Sequence, residues 1–123
     1  MQHVLLVGAG GFVGSAFRYL VSTSVQRWLG ESWLPYGTLA VNIAGCFLIG
    51  LLAGLADSRQ LLTEETRLVL MIGLLGGFTT YSTFAYDALA LLRNGGIAAA
   101  IAYVVLHIVV GIAAVWLGHL ITA

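Results

Sequence analysis

Three stretches of this 123-residue chain contain no Asp, Glu, Lys or Arg: Ser32 to Ala56, Leu68 to Tyr86, and Asn94 to the end at Ala123. A helix needs about 20 predominantly apolar residues to cross the hydrocarbon of a bilayer, so each stretch supplies one span. A fourth apolar run, from about Val4 to Val25, carries only Arg18, placed late enough to snorkel to an interface or to face protein or water. Sixty per cent of the residues are hydrophobic and 8% are charged, against about 25% charged in an average soluble domain. The fold expected is therefore all-α and integral to the membrane, one domain of four transmembrane helices with approximate spans 4–25, 34–56, 66–91 and 96–121.

The first run reads as a mature helix rather than a signal peptide, because Gln2 and His3 precede it in place of a basic start. Arg27 to Pro35, Asp57 to Glu65 and Arg93 to Gly96 form short connections, with Thr63-Glu64-Glu65-Thr66 shaped as a helix N-cap followed by acids. Four crossings place both termini and the second loop on one side. The positive-inside test then returns a tie, since Arg59 and Arg67 mark one side, Arg27 and Arg93 the other, and lysine is absent. Insertion in both orientations, and pairing with an inverted copy, stays open alongside a single weakly biased orientation. Four helices cannot enclose a path and also shield it from lipid, so self-association is expected; Gly10 with Gly14 and Gly50 with Gly54 are spaced for close helix approach.

Gly8, Gly11 and Gly14 after an apolar run imitate a dinucleotide-binding loop, with Glu31 at a tolerable distance for a ribose. That loop needs alternating strands and helices, which this chain does not offer, so the glycines are assigned to helix packing. Enzyme constellations are nearly absent. His3, His107 and His119 are scattered, Asp57, Glu64 and Glu65 cluster at one loop, and Cys46 lies mid-span as a packing residue. Neither an enzyme nor a nucleic-acid partner is expected.

The informative exception is Gly76-Gly77-Phe78-Thr79-Thr80-Tyr81-Ser82-Thr83-Phe84, two glycines, four hydroxyl residues flanking three aromatics, inside an otherwise greasy span. Lipid cannot satisfy such groups, so they are buried in protein or line a polar path. Thr38 and Asn42 lie one turn apart on the second helix, and Tyr103 and His107 one turn apart on the fourth. Interhelical hydrogen bonding explains any one pair. Together with Ser82 and Thr83 they offer uncharged donors from three helices, which suits a small anion that must exchange its water and still be released. The electropositive edges of Tyr81 and Phe84 serve the same end. Asp87, near Arg93, is expected toward the end of the third helix, where it pairs or meets water.

At these residues the chain resembles the Fluc (CrcB) fluoride channel family. The resemblance rests on Gly10-Gly11-Phe12-Val13-Gly14 with Arg18, on Gly37-Thr38-Leu39-Ala40-Val41-Asn42, and on the Gly76-to-Phe84 cluster, and it covers nearly the whole chain in order and spacing. It implies a passive fluoride-selective channel that exports fluoride across a microbial inner membrane. It further implies an antiparallel homodimer with two pores and a third helix broken near Gly76–Thr83. A central structural sodium ion would be held by backbone carbonyls matching Gly76 and Thr79. The family's fluoride pathway maps onto Asn42, Tyr81, Ser82, Thr83 and Phe84, with Thr38, Tyr103 and His107 extending the track and Arg18 as vestibule or anchor. Two departures stand out: Tyr81 replaces the usual phenylalanine, bringing a hydroxyl donor, and Gly111 stands where some relatives have serine. The competing expectations are a small dual-topology proton-coupled exporter dependent on Asp87, and a structural subunit of a larger membrane complex.

Overall fold

The computed structural model describes every residue except Glu31, Gln60 and Leu61, and only the backbone of Ser58 and Arg59. The ribose acid considered at Glu31 and the charge mark of the Arg59 side chain therefore lie outside the described residues. Among the described residues six α-helices follow in order: α1 (Gln2–Leu29), α2 (Tyr36–Arg59), α3 (Glu64–Arg67), α4 (Gly76–Phe78), α5 (Tyr81–Arg93) and α6 (Ile97–Thr122). A π-helical stretch, Leu68–Leu75, joins α3 to α4. Among the described residues four helical runs are long and apolar enough to cross a membrane: Gln2–Leu29, Tyr36–Asp57, Glu64–Arg93 and Ile97–Thr122. The third contains α3, the π-helical stretch, α4 and α5.

Local chemistry sets the boundaries. Thr63 caps α3 by accepting a hydrogen bond from the Thr66 N–H at 3.2 Å, with Glu64 and Glu65 in the first turn where the helix dipole favours acids. α5 ends at Asn94, and Gly95 turns the chain with φ of 77°, a conformation that costs glycine little. The Gln2 amide donates to Glu65 at 3.4 Å, and His119 meets Asp57 at 3.5 Å, so both termini and the second loop gather at one end. At the other end the Gly37 N–H donates to the Gln26 side-chain carbonyl at 3.3 Å and closes the first loop onto α1.

Two glycine seams bring the helices together. A Cβ on Gly10, Gly14 or Gly77 would strike the backbone of the facing helix, as would one on Gly50 or Gly118. α1 thus lies directly on the π-helical stretch and α4, and α2 lies along α6 in the most extensive helix contact. With no hydrophobic drive between helices in lipid, such backbone approach is what dispersion packing needs. The interior is small, with Leu34, Leu39 and Tyr103 at the centre of the buried cluster. Large apolar side chains such as Phe12 (78% exposed) and Trp116 (67% exposed) face outward, which only a lipid environment makes stable.

Candidate functional site

The third span stops being helical at Thr79 and Thr80. Their φ/ψ values are −84°/159° and −149°/117°, both extended, between the end of α4 and the start of α5. Thr80 is the N-cap of α5, its hydroxyl accepting from the Thr83 N–H at 3.2 Å. In a continuous helix the Thr80 N–H would serve the Gly76 carbonyl. Here it donates instead to the Asn42 side-chain oxygen at 2.7 Å. Asn42 returns the bond, its Nδ2 donating to the Thr80 carbonyl at 3.0 Å, so one carboxamide on α2 clamps both polar groups of one extended residue. Two further carbonyls at the break are met from α1, where Arg18 donates to the Thr79 carbonyl at 3.2 Å and the Ser15 hydroxyl to the Gly77 carbonyl at 3.5 Å.

The second Asn42 N–H is directed at His107 Nε2, 3.2 Å away, and His107 Nδ1 lies 3.0 Å from the Tyr103 carbonyl. A carbonyl can only accept and Thr80 N–H can only donate, so the orientations follow: Asn42 presents its oxygen to Thr80, His107 carries its proton on Nδ1, and Nε2 accepts. One turn along the same two helices, the Thr38 and Tyr103 hydroxyls both donate to Asp87 Oδ2, at 2.7 and 3.0 Å. Tyr103 is fully buried and Thr38 nearly so. The four polar residues of α2 and α6 therefore face one another, bonded either directly or through α5.

Asp87 lies in the last part of the third span and pairs there. It sits mid-α5, as the acceptor that ties α2, α5 and α6 together, and it lines an open cavity of 440 Å³ with Thr38, Ser22, Thr23, Gln26 and Ser32. A second, open-sided groove of 420 Å³ runs past Asn42, Gly76, Thr79, Thr80, Tyr81, Phe84 and His107, and none of its lining residues is Asp, Glu, Lys or Arg. Aromatic rings continue along it. Phe84 stands 5.7 Å from Tyr81, 5.6 Å from Tyr103 and 4.4 Å from His107, centroid to centroid.

Of the residues expected in an anion path, Asn42, Tyr81, Phe84 and His107 line this groove, as do Gly76 and Thr79. Thr38 and Tyr103 belong to the Asp87 knot, and Ser82 and Thr83 are exposed on α5 beside Tyr81, itself 81% exposed. The sequence reading passed over Thr80, a buried N-cap and the residue Asn42 grips. A threonine immediately before the run from Tyr81 to Arg93 is the capping signal that marks it. Two carbonyls, those of Gly76 and Thr79, could face a hard cation, but a single chain offers too few oxygens for one.

A family model described as CrcB-like protein, Camphor Resistance (CrcB), matches residues 5–119. The chain belongs to the CrcB-like family. Curated relatives carry the name fluoride-specific ion channel FluC. That of Methylobacillus flagellatus is 46% identical over 96% of this chain and 92% of its own length. Those of Agrobacterium fabrum and Chlorobium phaeobacteroides are each 48% identical, over 96% and 94% of this chain and 94% and 88% of their own. With four spanning helices, this CrcB-like chain is a multi-pass membrane protein.

Proposed function

We propose that the protein is a fluoride-selective passive channel, not an enzyme, and that it works as an antiparallel homodimer with two pores in a microbial inner membrane. The observation that carries this reading is the groove: Asn42, Thr79, Thr80 and His107 set among apolar and aromatic residues, without a fixed charge, at the interruption of a membrane span in a chain whose relatives bear the fluoride-channel name. Fluoride is small and strongly hydrated. It needs donors to replace its water, yet must not be held by a buried guanidinium, because conduction requires release.

A second copy follows from what lipid cannot cover. Ser82, Thr83 and Tyr81 are exposed together on α5, and Tyr81 lines the open-sided groove. A facing copy closes that side, and the arginine tie permits it to be inverted. The Gly76 and Thr79 carbonyls fit the sodium ion that the family resemblance implies. Gly76 is exposed, a Cβ there would come no nearer than 4.0 Å to another atom, and its helical donor has gone to Asn42. Two copies bring four carbonyl oxygens, a hard-cation donor set, and the ion would pin the two breaks together.

Purified protein in liposomes with sodium present should lose fluoride rapidly, read by an ion-selective electrode once a potassium ionophore releases the charge constraint, while chloride is retained. Equal release of both ions, or of neither from a verified dimer, counts against the proposal.

A further inference from the structure

Asn42 is assigned to the anion path by resemblance, yet its amide has nothing left to give an anion: one N–H is directed at the Thr80 carbonyl and the other at His107 Nε2. One of these must yield. The Thr80 bond is half of a two-point clamp on a buried residue. The His107 bond exists only while Nε2 lacks a proton. Protonation converts Nε2 to a donor, the Asn42 N–H facing it loses its acceptor, and two donors then point into the same groove.

We propose that His107 is an acid-operated anion-site residue. The neutral ring masks one Asn42 N–H, and the protonated ring releases it and adds its own Nε2–H, so that both donors converge on one small anion. This rests on the fluoride reading above. Among the residues lining this groove, His107 alone has a side chain that a proton turns into a cation. Its Nδ1 is anchored to the Tyr103 carbonyl in either state, because Nδ1 is a donor in both. The switch therefore changes Nε2 without turning the ring. Phe84, 4.4 Å from the ring, keeps it on the groove wall.

The titratable groups facing this ring are few. From α5, Asp87 is linked through the Tyr103 hydroxyl and supplies a counter-charge for an imidazolium; Tyr81 lines the same groove. From α2 there is the Cys46 thiol. α4 and the π-helical stretch present only Met71, Leu75 and Gly76. Arg18 on α1 is engaged by the Thr79 carbonyl.

The test compares wild-type and His107→Gln protein in liposomes between pH 8 and 5.5, with protein-free liposomes subtracted for neutral hydrogen fluoride. Gln keeps an acceptor for Asn42 but does not titrate. Fluoride flux should rise roughly tenfold in the wild type across this window, where imidazoles change charge, and stay flat in the variant. A flat wild type, or the same rise in both, overturns the proposal. Should no fluoride pass at any pH, the channel reading fails, and 15N histidine spectra of the detergent-solubilised wild type decide the present inference separately. The resonance missing from His107→Gln should titrate at higher pH in fluoride than in chloride; identical titrations overturn the site.

Discussion

Replacing Asn42 with Asp changes one NH2 to an oxygen and leaves the shape intact, so its cost can be read from the clamp. Asn42 makes three hydrogen bonds, at 2.7, 3.0 and 3.2 Å. The carboxylate keeps the first, from the Thr80 N–H. Its second oxygen then faces the Thr80 carbonyl and His107 Nε2, both acceptors. Stranding a buried acceptor costs about 1–3 kcal/mol, so two of them cost about 2–6 kcal/mol. Taking up a proton would let the side chain satisfy one of the two and moves the cost to the lower half. Asn42→Ala loses all three bonds without adding charge and serves as the control. Both variants should lose monodispersity in detergent at lower temperature than the wild type. Per folded dimer in liposomes, the Asp variant should pass less fluoride than the Ala variant, because it also puts negative charge in an anion path. An Asn42→Asp protein as heat-resistant as the wild type would refute the clamp. Normal fluoride flux through a folded Asn42→Asp dimer would remove this residue from the pathway.

Asp87→Asn should keep its fold, since an amide oxygen can accept from both Thr38 and Tyr103, and should keep passing fluoride; Asp87→Leu strands two hydroxyls and should destabilise by about 2–6 kcal/mol. Proton-coupled drug efflux that disappears in Asp87→Asn would instead favour an exporter. Gly77→Ala should weaken the fold by about 1–3 kcal/mol, because its Cβ would meet the Gly11 carbonyl oxygen at 2.5 Å and the α1 backbone would have to move. Gly8→Ala, with open space around it, is the matched control, and equal heat resistance of the two variants would contradict the seam.

Much of the architecture was legible from residue types alone, and the reason is the solvent. A bilayer imposes one length and one rule of backbone satisfaction, so charge-free runs, arginines and turn residues locate four spans, at about 4–25, 34–56, 66–91 and 96–121, without knowledge of packing. The cap at Thr63 is local chemistry as well, and the glycines of α1 announced a close contact. The helical period likewise put Thr38 with Asn42 and Tyr103 with His107.

What each polar side chain does was decided only by the tertiary structure. Helical spacing tells which residues share a face but not which face lies opposite, so the sequence could not show that the two α2–α6 pairs bond across the helices. Nor could it show that Asp87 is their common acceptor, or that Asn42 spends its amide on Thr80 and His107. A hydrogen bond requires groups 16 to 65 residues apart in the chain to be placed to within about a few tenths of an ångström of the right separation. Those distances are set by how closely glycine seams let the helices approach, and no single segment encodes that alone.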